Sequence, residues 1–424
     1  MSTAHPFRPV FVLGGEHAAH RLGEALAGQP GWCAPPPMEL LARMSRLLWG
    51  HQVGQGIAGV SSLVDGPHLM AALRRVADLL VSPAIPHGAA HSVEVVANAE
   101  LLGPYLRGVW PDALVVAIGE KERGSGAAAA DPDLWLTRDE VAGDIGGSVA
   151  QVVAAARQSS VIDLPGPPEV SVDVFRPEQS ALHERVIVVL GAARSGTTWL
   201  HRLLSAHPEV AGTDTGETWL FPDVAPLWAD DVRAVAGDAL ALSALRGFCD
   251  DLFGGLLRTS AGTASYVCEK TPTTVWQLPF VARLYPDAHY VHVVRDGRDA
   301  ALSLALTRGE SADLGVAATQ WVEAVGAIQA SARDLSRLRE VRYEDLLADP
   351  GAAVADVWSW IGLPDSEQAR QTLEQRSGER VTPLAATGEI GTGKWRSLPD
   401  ADRDLLESVT GKLLVELGYP VGAP

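Results

Sequence analysis

The run Val186-Ile-Val-Val-Leu190 is apolar at every position, the pattern of a strand buried on both faces of a parallel sheet. It empties into the glycine-bounded segment Gly191-Ala-Ala-Arg-Ser-Gly196, and a helix is predicted from Thr197 to Ser205. That helix ends at Ala206-His207-Pro208, because proline offers no N–H and its ring obstructs the preceding turn. A second buried-type strand, Tyr290-Val-His-Val-Val294, runs into Arg295, then a turn at Asp296-Gly297, then a helix carrying Ser303. Near the chain start, Phe11-Val-Leu13 and Gly14 repeat the strand-then-turn pattern. Alternating strands and helices of this kind predict an α/β protein with a parallel central sheet.

The pattern occurs twice. Phe11-Val-Leu-Gly14 lies 177 residues before Val188-Val-Leu-Gly191, and Pro30 stands against Pro208 after one gap. Glu94 followed by Tyr105–Val116 matches Glu269 followed by Phe280–Val291, through a shared Pro-Asp-Ala. Leu136-Thr-Arg-Asp-Glu140 pairs with Leu306-Thr-Arg-Gly-Glu310, and Gln151 with Gln320. The order predicts a duplicated fold: a first copy over 1–164, a linker over 165–184 rich in proline (Pro165, Pro167, Pro168, Pro177), and a second copy over 185–424. The first copy lacks the second's cations. Glu16-His-Ala-Ala-His-Arg21 replaces the loop Ala193–Thr198, Glu120 stands opposite Arg295, and Val95 opposite Lys270. An anion pocket does not survive exchange of arginine for carboxylate, so the first copy is expected to be degenerate.

Composition narrows the chemistry. A net charge of −18, with acidic residues in excess in both halves, excludes a general nucleic-acid binder. No apolar stretch reaches the length of a membrane span, and the N-terminus lacks the basic and apolar regions of a secretory signal. Cys33, Cys249 and Cys268 are scattered without metal-ligand spacing and are expected as reduced thiols, so a cytoplasmic protein is expected. Only four lysines occur (Lys121, Lys270, Lys394, Lys412), which gives weight to the two inside motifs, Lys270 and Lys394.

The loop Gly191–Trp199 gathers backbone N–H groups, a helix N-terminus and one arginine around a point that suits an oxyanion. It differs from the nucleotide-triphosphate P-loop in one respect: the lysine expected after the second glycine is Thr197, and the cation lies inside the loop as Arg194. A P-loop small-molecule kinase would need that lysine and an acidic magnesium-holding strand end, where this chain has Arg295. A non-catalytic nucleotide-binding scaffold is the other alternative.

Together, Gly191-Ala-Ala-Arg-Ser-Gly-Thr-Thr-Trp199 and Val294-Arg-Asp-Gly-Arg-Asp-Ala-Ala-Leu-Ser303 resemble the 5′-phosphosulfate loop and 3′-phosphate motif of the sulfotransferase superfamily, which uses 3′-phosphoadenosine 5′-phosphosulfate (PAPS) and releases PAP. The nearer likeness is to the protein-tyrosine sulfotransferase type, with arginine in the loop. That type's acidic residue corresponds to Glu217 in Thr215-Gly-Glu-Thr-Trp219 after a two-residue insertion, and its strand-end lysine to Lys270 in Cys268-Glu-Lys-Thr-Pro272. Its later nucleotide segments correspond to Val341-Arg-Tyr343-Glu-Asp-Leu346 and Gly393-Lys394-Trp395, with Gly393 where that type has serine. The resemblance implies a P-loop-like three-layer sulfotransferase fold, present twice. It also implies nucleotide contacts from Ala193, Arg194, Ser195, Gly196, Thr197, Thr198, Trp199, Arg295, Ser303, Tyr343, Lys394 and Trp395.

Sulfuryl transfer, like phosphoryl transfer, is an in-line displacement governed by positioning and charge stabilisation. Arg194 and Lys270 are the candidate cations for the leaving phosphate, and Glu217 the candidate base for the acceptor hydroxyl; no metal is expected. Arg298 and Arg308 are open between 3′-phosphate contact and solvent exposure, and Trp199 between adenine contact and core. Lys270 is alternatively a salt-bridge partner of Glu269 or Asp287. The expected acceptor is a small-molecule alcohol or phenol, with the first copy packing on the second as an intrachain pseudo-dimer.

Overall fold

The computed structural model describes residues 7–14, 17–36, 39–40, 42–45, 47, 63–96, 105–119, 130–158, 175–214, 216–260, 264–308, 313–378 and 392–422. The chain forms two compact units. The first comprises Met1–Val53, Asp65–Phe175 and Pro226–Phe248; the second comprises Gly54–Val64, Arg176–Ala225 and Cys249–Pro424. Each unit thus takes a piece from the other half of the sequence.

The first unit holds β1 (Arg8–Leu13), β2 (Trp32–Cys33), β3 (His91–Val96), β4 (Leu114–Ile118) and β5 (Leu134–Leu136), all parallel in the order β2-β3-β1-β4-β5. Val10, Val12, Val93 and Val116 pack against Leu22 and Leu26 of the helix His17–Ala27 and Val152 of the helix Ile145–Gln158.

The second unit holds β6 (Val186–Leu190), β7 (Val210–Gly212), β8 (Tyr266–Glu269), β9 (His289–Val294) and β10 (Leu338–Arg342), parallel in the order β10-β9-β6-β8-β7. Every residue of β6 and β9 is buried, as a sheet covered on both faces requires. Ile187, Val189, Val291 and Val293 contact Leu200, Leu203 and Leu204 of the helix Thr197–Leu204, and Val354, Val357 and Trp358 of the helix Pro350–Ile361. His289 and His292, three residues apart on β9, are both buried.

Numbered by order of appearance, both sheets run 2-3-1-4-5, and their registers coincide. Phe11 stands opposite Glu94 as Val188 stands opposite Glu269; Val10 stands opposite Leu114 as Ile187 stands opposite His289. Burial pushes the fully buried Glu269 up to about 7, and desolvation with the nearby Glu39 raises the half-buried Glu94 to about the same value.

The last two sequence matches do not fall on equivalent elements. Leu136 ends strand β5 and Thr137 caps the helix Arg138–Gly143 through a capping box with Glu140, whereas Leu306 lies inside the helix Gly297–Arg308. In the second unit two helices, Gly297–Arg308 and Leu314–Ser331, intervene between the fourth and fifth strands; in the first unit those strands are 16 residues apart. The Gln151–Gln320 pairing fails for the same reason, because helix Ile145–Gln158 follows the fifth strand and helix Leu314–Ser331 precedes it. Glu16, Glu120, Thr215, Glu310 and the linker prolines Pro165, Pro167 and Pro168 lie outside the described residues.

Candidate active site

In a parallel sheet the carboxyl ends of all strands lie on one edge, where ligands of open α/β sheets bind. Each strand of the second unit delivers a sequence-predicted residue just past that edge: Arg194 after β6, Glu217 after β7, Lys270 after β8, Arg295 after β9 and Tyr343 after β10. Five candidates far apart in sequence therefore share one rim.

The loop is shaped by left-handed backbone at Arg194 (φ 68°) and Gly196 (φ 95°), and the helix begins at Thr197. The Arg194 Nε donates to Ser303 Oγ at 3.2 Å, and the Arg295 Nη1 donates to the Arg194 carbonyl at 2.7 Å. The Arg295 guanidinium lies over the Tyr343 ring, 4.3 Å from its centroid, and Trp199 meets the same ring edge-on at 6.2 Å. Burial first, then the neighbouring Arg295, lowers the Arg194 pKa. Two guanidiniums gathered at a helix N-terminus favour an anion between them. Trp199 is half-buried at this ring cluster, whereas Trp395 is buried.

Gly196 has two reasons to be glycine: its φ, and a Cβ there would lie 2.5 Å from Tyr343 Cδ2. Gly196→Ala is expected to lower stability by about 1–3 kcal/mol through backbone strain and to displace Tyr343 from Arg295. Thermal melts and calorimetric titration with PAP check it; unchanged PAP affinity would separate this contact from nucleotide binding.

Glu217 and Lys270 form the second cluster. The Lys270 ammonium donates to Glu217 Oε1 at 2.6 Å, and the lysine is 1% exposed. Its sequence-level alternatives, Glu269 and Asp287, are engaged elsewhere: Glu269 accepts from Thr218 at 3.2 Å and from Thr271, and Asp287 accepts from the Glu184 N–H and lies against His183. The Lys270 N–H donates to the Gly216 carbonyl at 2.8 Å, so the strand end holds the loop that carries Glu217. Trp219, two residues on, sits in left-handed backbone (φ 57°), an uncommon state for a bulky side chain, with its N–H on Thr271 Oγ1 at 3.1 Å.

Burial is the main cause of the raised Glu269 pKa, about 7 against an ordinary 4.5. The folded chain thus keeps a proton that the unfolded chain has lost, so stability falls as pH rises from about 4.5 to about 7, by on the order of 3 kcal/mol. Glu269→Gln removes the ionisation. Its melting temperature, relative to the parent, should be higher at pH 8 than at pH 5; equal gaps at both pH values would contradict the assignment.

Two further acidic residues, Asp299 and Glu344, organise the segments around Arg295 and Lys394. Asp299 accepts from the Gly393 N–H at 2.5 Å and the Trp395 N–H at 3.2 Å, clamping the turn that bears Lys394 onto the helix Gly297–Arg308. Glu344 accepts from the Asp296 N–H at 3.1 Å and from Tyr419. Asp299 sits inside a motif already singled out, but its partners lie 94 and 96 residues away and no local signal marks them. Both readings of Arg298 are corrected. It is buried, bonded to Asp296 at 2.8 Å and Glu407 at 2.9 Å, and stacked on Trp395, so it braces the site and neither faces solvent nor is free for phosphate. The side chain of Arg308 lies outside the described residues.

Residues 186–367 match the model of the sulfotransferase family. Among curated proteins it is similar to protein-tyrosine sulfotransferase 2 of Gallus gallus, with 26% identity over 199 residues, 43% of this chain and 52% of that protein. Protein-tyrosine sulfotransferase 1 of Danio rerio is 24% identical over 263 residues, covering 55% and 72%. The match thus spans about half of the first relative and about seven-tenths of the second. The solved sulfotransferase STF9 from Mycobacterium avium aligns at 14% identity over 87% of this chain and 99% of its own, with a TM-score of 0.39, too low to bear on the chemistry.

The relatives correct one expectation. Protein-tyrosine sulfotransferases act in the secretory pathway, which overturns the cytoplasmic assignment drawn from the N-terminus and the cysteines. Among the described residues no helix is long and apolar enough to cross a membrane, and the three cysteines are buried and form no disulfide.

Proposed function

We propose that the second unit transfers a sulfuryl group from PAPS to a hydroxyl acceptor. The observation that carries this reading is the convergence of Arg194, Arg295, Ser303 and Tyr343 on one strand edge that also bears the Glu217–Lys270 pair. Arg194, Arg295 and the N–H groups of the loop bind and orient the phosphates, and Lys394 joins them from the turn held by Asp299. The acceptor oxygen attacks sulfur in line, its proton passes to Glu217, and the sulfur–oxygen bond to the 5′-phosphate breaks. Lys270 stabilises the charge that gathers on that departing oxygen. The kinase alternative is disfavoured by Thr197, whose methyl group packs against Gly191, and by Arg295 at the end of β9.

The acceptor we propose is a phenolic hydroxyl. The names of the relatives point to tyrosine, and a small phenolic metabolite presents the same group. Incubation with sulfur-35-labelled PAPS and a panel of tyrosine peptides, small phenols and aliphatic alcohols tests both levels. Transfer to peptides alone overturns the small-molecule reading, and transfer to none of them supports the scaffold. Tight PAP binding with no ATP binding is the expected calorimetric result, and the reverse supports the kinase.

A further inference from the structure

His201 lies one turn into the helix that follows the phosphate loop, 1% exposed, and the reaction scheme above gives it no part. Its ring fills the space beneath the segment from β7 to Glu217. A Cβ on Gly216 would fall 2.7 Å from the ring Cγ, and one on Gly212 would fall 2.6 Å from Nε2, so two glycines make room for the imidazole. The Nε2–H donates to the Cys268 carbonyl at 3.2 Å. Gly216 immediately precedes Glu217, and Cys268 is two residues before Lys270. The Gly216 carbonyl in turn accepts the Lys270 N–H. One imidazole therefore touches both backbone segments that carry the base and the cation, and those segments are themselves joined by the Gly216–Lys270 backbone bond.

We propose that His201 is a positioning residue that sets the spacing of Glu217 and Lys270 for sulfuryl transfer, acting as a neutral wedge under both backbones. The inference rests on the reading of this edge as a sulfuryl-transfer centre. Burial, then the Lys270 charge, pushes the imidazole down to about 3, so it stays uncharged and adds no repulsion to Lys270. With Nε2 carrying the proton, Nδ1 is left as an acceptor, buried without a partner. A charged side chain of similar length in this slot would face Lys270 with no compensating carboxylate on its own helix turn.

The roles separate in substitutions. His201→Phe keeps the ring volume and loses the donor to Cys268; His201→Gln keeps an amide N–H of comparable reach. Turnover of the best phenol in the panel, PAP affinity by calorimetry and melting temperature are measured together. His201→Phe is expected to lower kcat on the order of 10²-fold, the effect of misplacing reacting groups by about an ångström. Its PAP affinity should stay within about threefold of the parent, because the nucleotide contacts lie on other side chains, and His201→Gln should recover most of the lost turnover. Equal kcat in all three proteins overturns the proposal, as does a parallel fall of kcat, PAP affinity and melting temperature in both variants. If His201→Phe does not fold, nitrogen-15 spectra of the parent decide: a neutral Nε2–H tautomer from pH 5.5 to 8.5 is expected, and a titrating ring overturns the proposal. A parent that transfers sulfate to nothing refutes the functional reading itself, an outcome distinct from an active parent with indifferent variants.

Discussion

Glu217→Gln is expected to lower kcat for sulfuryl transfer by on the order of 10²- to 10⁴-fold while PAP affinity changes by less than about threefold. Glutamine keeps the side-chain volume and an oxygen for Lys270 but cannot take the acceptor proton. The effect should therefore appear in kcat. Glu217 follows β7, whereas the proposed nucleotide contacts come from the loop after β6 and from the ends of β9 and β10. Glu217 is 27% exposed, so the substitution leaves no dry cavity and the fold should survive. Steady-state kinetics with labelled PAPS across pH 5–9 are the test. A variant as active as the parent would remove Glu217 from the mechanism and leave the fold untouched.

The second large effect belongs to Lys270. Lys270→Ala should reduce kcat by roughly 10²- to 10³-fold, the magnitude seen when one preorganised stabiliser of transition-state charge is removed. The ammonium is nearly inaccessible yet paired with a carboxylate that reaches solvent. Removing it leaves Glu217 in reach of water. Stability should accordingly fall less than for a buried pair broken from one side, where about 3–5 kcal/mol is typical. Acceptor reactivity supplies a second readout. If Lys270 neutralises the departing phosphate oxygen, the loss should be similar for acidic and weakly acidic phenols, since the leaving group is the same. A loss confined to weakly acidic phenols would place Lys270 beside the acceptor oxygen instead.

Much of this was legible in the residues themselves. The strand Val186–Leu190 and the helix start at Thr197 fall where the apolar pattern puts them, and so does the strand that ends at Val294, because runs buried on both faces leave a strong local signal. The first two repeat matches coincide in register with equivalent strands. The later two do not, because short Leu-Thr-Arg and Gln-containing segments arise on helices and strand ends alike, and only pairing partners tell them apart. The two-residue insertion before Glu217 left its register open in sequence, and in the fold that loop ends against Lys270.

The sequence by itself determined the α/β alternation, the loop whose cation is Arg194 in place of a lysine after the second glycine, and the family likeness. These depend on residues close together in the chain. Tertiary structure alone decided that Lys270 pairs with Glu217, that Arg298 is a brace held by Asp296 and Glu407, that Asp299 holds the Lys394 turn, and that His201 lies under Glu217 and Lys270. Apart from the Arg298–Asp296 pair, two residues apart, each of those contacts joins segments far apart in the chain that only the folded arrangement brings together. No pattern within a single segment encodes the distance between them.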